Sequence, residues 1–225
     1  MNPCDKPLLM TASILDSFKW MITCPASWKD KAVKDFTNAL NRIYTDMDPA
    51  VKRGIDFENR ICRDLYLGRD AFVNRHSDLL LPFFEKCAAG RQQVTVKKEV
   101  VVDGQKILLY GKADIYIPGT GGPGTGAAKI IDIKTTGKWK GIESYTSKAQ
   151  HLLYMVADNC KEFEYLVAVF DDSIGKAETI VPIPITMSYE DALSELMDKM
   201  RRFLAYVKAD AELWEAYTTV FTKAW

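Results

Sequence analysis

The sequence predicts an α/β fold in which a central mixed β-sheet is flanked by helices. Three observations lead there. Apolar residues recur at helical spacing before residue 90. A β-branched, alternating stretch with a tight Asp-Gly turn follows from residue 93. Amphipathic helical pattern returns from Ser188. At 225 residues the chain fits one domain over 1–225. It divides into a mainly helical part (1–90), a sheet core (91–185) and C-terminal helices (186–225).

The elements follow in order. Ala26 to Tyr44 places Val33, Phe36, Leu40 and Ile43 at helical spacing among lysines. A second helix is expected from Pro49 to Leu67. A third runs from a Ser77 cap to Ala89 and stops at Gly90. Val94, Val96, Val100 and Val102 then read as a strand, and Asp103-Gly104 as a two-residue hairpin turn. The return strand is Ile107 to Ile117. Alternation puts Leu109, Ala113, Ile115 and Ile117 on one face, and Tyr110, Lys112, Asp114 and Tyr116 on the other. Pro118 to Gly126 reads as a Gly/Pro loop. It lacks the Gly-Lys-Ser/Thr ending of a phosphate-binding loop and leads into a strand, not a helix. Lys129 to Thr135 is the next strand and Gly141 to Ala157 the next helix. Glu162–Phe170 and Glu178–Ile185 are further strands, and helices occupy the chain from Ser188 onward.

Composition narrows the function. Nearly half the residues are hydrophobic, enough for a sizeable core. No apolar run reaches transmembrane length, and Met1 to Met10 does not read as a signal peptide, so a cytoplasmic protein with no membrane association is expected. Lys plus Arg equals Asp plus Glu, so any nucleic-acid binding must come from a local basic surface. The five cysteines, Cys4, Cys24, Cys62, Cys87 and Cys160, form no CxxC pair and read as reduced thiols. Two histidines, His76 and His151, leave a His-rich metal site and a Ser-His-Asp triad with little support.

Chemistry-bearing residues concentrate between Gly111 and Tyr154. Asp132 and Lys134 share one face of their strand, while Ile131 and Ile133 point into a core. Asp114 lies on the polar face of a nearby strand. If those strands pair, the two aspartates come within a few ångströms, and a hard cation such as Mg²⁺ would neutralise them. Asp-x-Lys alone is common by chance, and three solvated residues on an open sheet face is the bland alternative. Glu58 falls inside an apolar helical stripe of Ile55, Ile61, Cys62 and Leu65. It therefore should have a partner, such as a shared metal; the bland alternative is a snorkelling Glu or an internal salt bridge with Arg53 or an arginine elsewhere. Gln150 and Tyr154 are neighbours on one helix flank, off the core stripe of Ala149, Leu152, Leu153 and Val156. They can hydrogen-bond a phosphate or a carboxylate. Lys134, Lys138, Lys140 and Lys148 cluster around Trp139. They can track a phosphate backbone, with the indole stacking on a base, or they are simply a solvated face.

Glu58, Gly111-x-x-Asp114, Asp132-x-Lys134 and Gln150-x-x-x-Tyr154, in this order, resemble the PD-(D/E)XK nuclease superfamily, in particular its RecB-like exonuclease branch of phage recombination and CRISPR-associated type. The match covers about Gly54 to Tyr154, and Gly54 four residues before Glu58 fits the pattern. The resemblance implies a restriction-endonuclease-like core and a metal-dependent DNA exonuclease of recombination, repair or phage replication. It implies that Glu58, Asp114, Asp132 and Lys134 are catalytic. Glu58, Asp114, Asp132 and the Ile133 carbonyl would hold Mg²⁺ or Mn²⁺, and Gln150, Tyr154, Lys138 and Lys140 would hold DNA. The all-oxygen donor set suits Mg²⁺. A recombination or single-strand-binding protein is the partner such an enzyme would have. An iron–sulfur cluster of the kind some relatives carry is not expected, because Cys160 is the last cysteine. The opening Ser13-Ile14-Leu15, Phe18 and Cys24-Pro25 is similar to the branch's N-terminal pattern, but the gap from Phe18 to Cys24 is too long to carry a role across. A site-specific endonuclease on the same core, and a non-catalytic DNA-binding or adaptor module, are the alternative readings.

Overall fold

A computed structural model describes residues 6–43, 48–119, 128–171 and 176–222. Its N-terminal elements are β1 (Leu8–Met10), α1 (Ala12–Thr23), α2 (Lys29–Asn41), α3 (Pro49–Asp64), α4 (Arg69–Arg75) and α5 (Leu81–Cys87). The sheet region contributes β2 (Arg91–Val102), β3 (Gln105–Ile117), β4 (Lys129–Thr136), α6 (Glu143–Thr146), α7 (Gln150–Asp158), β5 (Glu162–Asp171) and β6 (Lys176–Thr186). Two helices follow, α8 (Tyr189–Lys208) and α9 (Ala211–Phe221). The described strands form one six-stranded mixed sheet, as expected, with helices flanking it.

β3 is the pivot of that sheet. β2 runs antiparallel along one edge of it, from Arg91 opposite Tyr116 to Val102 opposite Gln105. The turn residues Asp103 and Gly104 have φ of 47° and 80°, the positive values a tight hairpin turn requires. On the other edge β1 pairs in parallel with Ile107–Leu109, and β4 pairs antiparallel with Ile115–Ile117. Tyr110 to Asp114 therefore lack a strand partner on that edge. β4 and β5 are parallel, so the chain must cross over between them, and α6 and α7 form that crossover.

Two cores sit on the two faces of the sheet. The larger packs α1, α2, α7, α8 and α9 against residues such as Leu109, Ala113 and Ile130. The smaller packs α3, α4 and α5 against Ile115, Ile131 and Ile133. The expected alternation along β3 breaks here. Leu109 and Ala113 belong to the larger core, but Ile115 and Ile117 turn to the smaller one, and Tyr116 takes their place. The switch occurs at Asp114. Opposite it, Gln93 in β2 has φ 54°, which twists the ladder locally.

Other expectations are corrected by packing. Ala26–Trp28 is a 3₁₀ turn before α2, whose buried stripe is Ala32, Phe36 and Leu40. Val33 and Ile43 are exposed, and Tyr44 lies outside the described residues. In α3 the buried set is Phe57, Ile61, Cys62 and Asp64, while Ile55 is exposed. Ser77 makes no capping bond; a 3₁₀ turn, Asp78–Leu80, leads into α5. The expected helix over 141–157 is two, and Ala149 precedes α7 as its cap residue. Most of the Pro118–Gly126 loop, and Cys4, lie outside the described residues. The described cysteines are free thiols. Among the described residues no helix is long and apolar enough to cross a membrane.

Candidate active site

The candidate residues meet where β3 and β4 part. Pairing ends at Ile115 opposite Ile131, and one step further the Asp114 side chain fills the widening gap. Its Oδ2 accepts the Ile133 backbone N–H at 2.8 Å. Asp132, on the next strand, is buried and ion-paired to Lys134 through Oδ2. Its Oδ1 accepts from the Gln150 amide at 2.6 Å. Lys134 thus reaches back along its own strand, and Gln150 reaches down from the first turn of α7.

Glu58 joins through a residue that sequence reading missed. The Gln93 amide nitrogen donates to Glu58 Oε1 at 2.8 Å and lies 3.4 Å from Asp114 Oδ1. Among the described residues Gln93 is the hydrogen-bond partner that Glu58 has, and no arginine is ion-paired to it. Gly54 lets α3 approach β4 here. A Cβ at that position would stand 2.9 Å from Thr135 Oγ1.

Gly111 and Tyr154 are coupled by space. Tyr154 is buried over β3 rather than on a helix flank, and its hydroxyl donates to the Lys112 carbonyl at 3.0 Å. A methyl group on Gly111 would overlap the Tyr154 ring. The partnerless edge of β3 is what leaves the Lys112 carbonyl free to be capped in this way. Burial, with the Asp132 charge nearby, pushes the Tyr154 phenol up to about 12, so it stays a neutral donor.

Carboxyl groups crowd together at this point. Burial and the neighbouring Asp132 carboxylate push Asp114 up to about 8. Burial would lower the Lys134 ammonium, but Asp132 and Asp114 together hold it above its ordinary value. Two carboxylates, with Glu58 behind Gln93, share one ammonium group.

A pocket of about 390 Å³ opens beside Lys134, Gln150 and Tyr154. Asp16 on α1 and Lys148 also line it. Asp16 was not singled out from sequence. Its Oδ1 accepts the Ala149 N–H at 2.8 Å, and Lys19 and Lys199 both donate to the Ser147 carbonyl, at 2.8 and 3.3 Å. These bonds fix the turn from which α7, and with it Gln150, starts. Lys138 and Lys140 are exposed on the segment after β4 and touch none of the carboxylates. Trp139 between them stacks on Tyr145 at 5.8 Å and 18°.

The donor set fits a hard divalent cation in part. Asp114 and Asp132 are close, oxygen-only and short of positive charge. Among the described residues, however, no three acidic, His or Cys side chains already sit in metal-holding geometry. Asp114, Asp132 and the Ile133 carbonyl are the residues that would hold a metal. Glu58 Oε1 is held by Gln93.

No family model matches the chain, and no curated protein matches it. Among solved structures, an alkaline exonuclease (LHK-Exo) from Laribacter hongkongensis is similar over 92% of this chain and 91% of its own, at 14% identity and TM-score 0.47. A phage-related exonuclease from Haemophilus somnus 129PT is similar over 95% of both chains, at 14% identity and TM-score 0.45. The protein SSO0001 is similar over 88% of this chain and 77% of its own, at 13% identity and TM-score 0.47. These are distant likenesses.

Proposed function

We propose that the protein is a metal-dependent DNA nuclease of the RecB-like type, acting as an exonuclease on phosphodiester bonds. One observation carries the reading: Asp114 and Asp132 come together where β3 and β4 part, and Lys134, which pairs with Asp132, lines the adjoining pocket. The motif resemblance supports it. A bound Mg²⁺ or Mn²⁺ would supply Lewis-acid polarisation of a phosphoryl oxygen and activation of water.

The chain's own residues supply the rest. Asp114 and Asp132 are pre-oriented acceptors, one held by the Ile133 amide and the other by Gln150. Lys134 stays protonated and can stabilise charge gathering on the phosphate. Gln150 and Tyr154, at the pocket wall, position the substrate strand. In the hydrolysis a water oxygen bonds to phosphorus, the bond to the sugar oxygen breaks, and the leaving oxygen takes a proton.

Asp132→Ala tests this. Mg²⁺-dependent degradation of linear DNA should vanish while circular dichroism stays unchanged; retained degradation removes the site assignment. Cutting of a closed circle by the wild type would make it an endonuclease instead. Folded protein that takes up neither Mg²⁺ nor Mn²⁺ in calorimetry would make it a non-catalytic module.

A further inference from the structure

A second concave surface lies beyond α3, and the candidate active site does not use it. Residues Pro49, Lys52, Arg53, Asp56, Phe57 and Arg60 form one stripe of that helix, next to the stripe that carries Gly54 and Glu58. With Phe170 they line a pocket of about 330 Å³. A second pocket of about 510 Å³ shares Phe57, Arg60 and Phe170 and continues past Arg75 to Lys176. The two make one groove.

Among the described lining residues, basic side chains outnumber acidic ones. Lys52, Arg53, Arg60, Arg75 and Lys176 line it against Asp56. The buried Asp64 behind it is already held by Arg63 and His76 at 2.9 Å, with Arg75 at 3.6 Å. Among the described residues Lys52, Arg60 and Lys176 form no salt bridge. The floor is aromatic. Phe57 and Phe170 meet edge to face at 5.3 Å, with Arg53 over one ring at 5.4 Å and Arg60 over the other at 5.7 Å.

Position identifies the occupant. Gly54, beside Arg53, is where α3 crosses Thr135, the residue after Lys134. The groove therefore starts at the exit of the strand that carries the candidate lysine. Pro49 to Arg60 spans about 16 Å at 1.5 Å per residue. That is the rise of about five nucleotides of one B-form strand.

We infer that this groove holds the phosphodiester backbone of a nucleic acid several nucleotides from the bond being cut. The inference rests on the nuclease reading above for its location, and on charge and shape for its ligand. It explains how a chain of zero net charge keeps a long polyanion: cations from α3, the end of α4 and the start of β6 are gathered along one groove.

The test is the triple variant Lys52→Ala, Arg60→Ala, Lys176→Ala in the full chain. Binding of a fluorescent 30-base-pair duplex is followed in EDTA from 50 to 200 mM salt. Affinity should fall at least about tenfold at 100 mM salt, and the salt slope should lose about 2 to 3. The charge-preserving variant Lys52→Arg, Arg60→Lys, Lys176→Arg should bind like wild type, which assigns the loss to charge, and an unchanged circular dichroism spectrum of the triple alanine variant excludes a folding defect. Metal-dependent hydrolysis of a tetranucleotide, too short to fill the groove, should be unchanged in both. Unchanged duplex affinity and slope overturn the inference. So does equal competition by polyglutamate at matched charge, which would make the groove an acidic-peptide site. If wild type hydrolyses nothing yet the triple variant loses duplex binding, the nuclease reading fails and the groove stands.

Discussion

Asp132 and Glu164 are buried carboxylates on neighbouring parallel strands, each with a side chain 1% exposed, yet their surroundings differ in sign. Glu164 is met by two ammonium groups, Lys86 at 2.5 Å and Lys129 at 2.6 Å. Burial opposes its ionisation, but the two lysines outweigh burial and hold the carboxyl below its ordinary value. Asp132 shares one lysine with Asp114, and Asp114 is driven up to about 8. A carboxylate with surplus cations is a strut. A pair of carboxylates sharing one ammonium group relieves its repulsion by holding a proton or by taking a cation.

Stability should separate the two most sharply. Glu164→Gln strands two lysines and should cost about 3 kcal/mol, near the low end for a broken buried pair because both ammonium groups reach solvent. Asp132→Asn relieves crowding among carboxylates and should stay within about 1 kcal/mol of wild type in EDTA. Urea denaturation measures both. Equal losses would erase the distinction.

The pH dependence should sharpen it further, because the two carboxyls have opposite linkage. Glu164 is depressed, so its contribution is present above its unfolded value of 4.5 and is lost as pH falls through the lower folded one. Asp114 is raised from 3.8 to about 8, so between those values the folded protein holds a proton that the unfolded chain has lost. Its contribution to stability therefore falls as pH rises through that window. Denaturation midpoints of metal-free protein at pH 5 and pH 8 test this. Asp114→Asn should gain on wild type between the two, and a constant difference would contradict the assignment.

Much of this arrangement was legible where the signal is local. Asp103-Gly104 placed the β2–β3 hairpin, β-branched alternation placed β4, and Asp-x-Lys put two side chains on one face because strands repeat every two residues. Order along the chain linked them to Gln150 and Tyr154. What escaped depends on tertiary contact. Gln93 looks like any strand glutamine until its positive φ sets it between Glu58 and Asp114. Asp16 looks like any helix-surface acid until α1 docks against Ala149. β1 is three residues long, too short for alternation to show. The face switch at Asp114 reverses a period-two rule that holds along the rest of β3, and it occurs at the candidate site itself.

The account rests on Asp114 and Asp132 being a cation site. A crystal soaked in manganese should show an anomalous-difference peak in contact with both carboxylates and the Ile133 carbonyl, absent from Asp114→Asn crystals. A soaked crystal with no peak there, and with Lys134 still on Asp132, would contradict it.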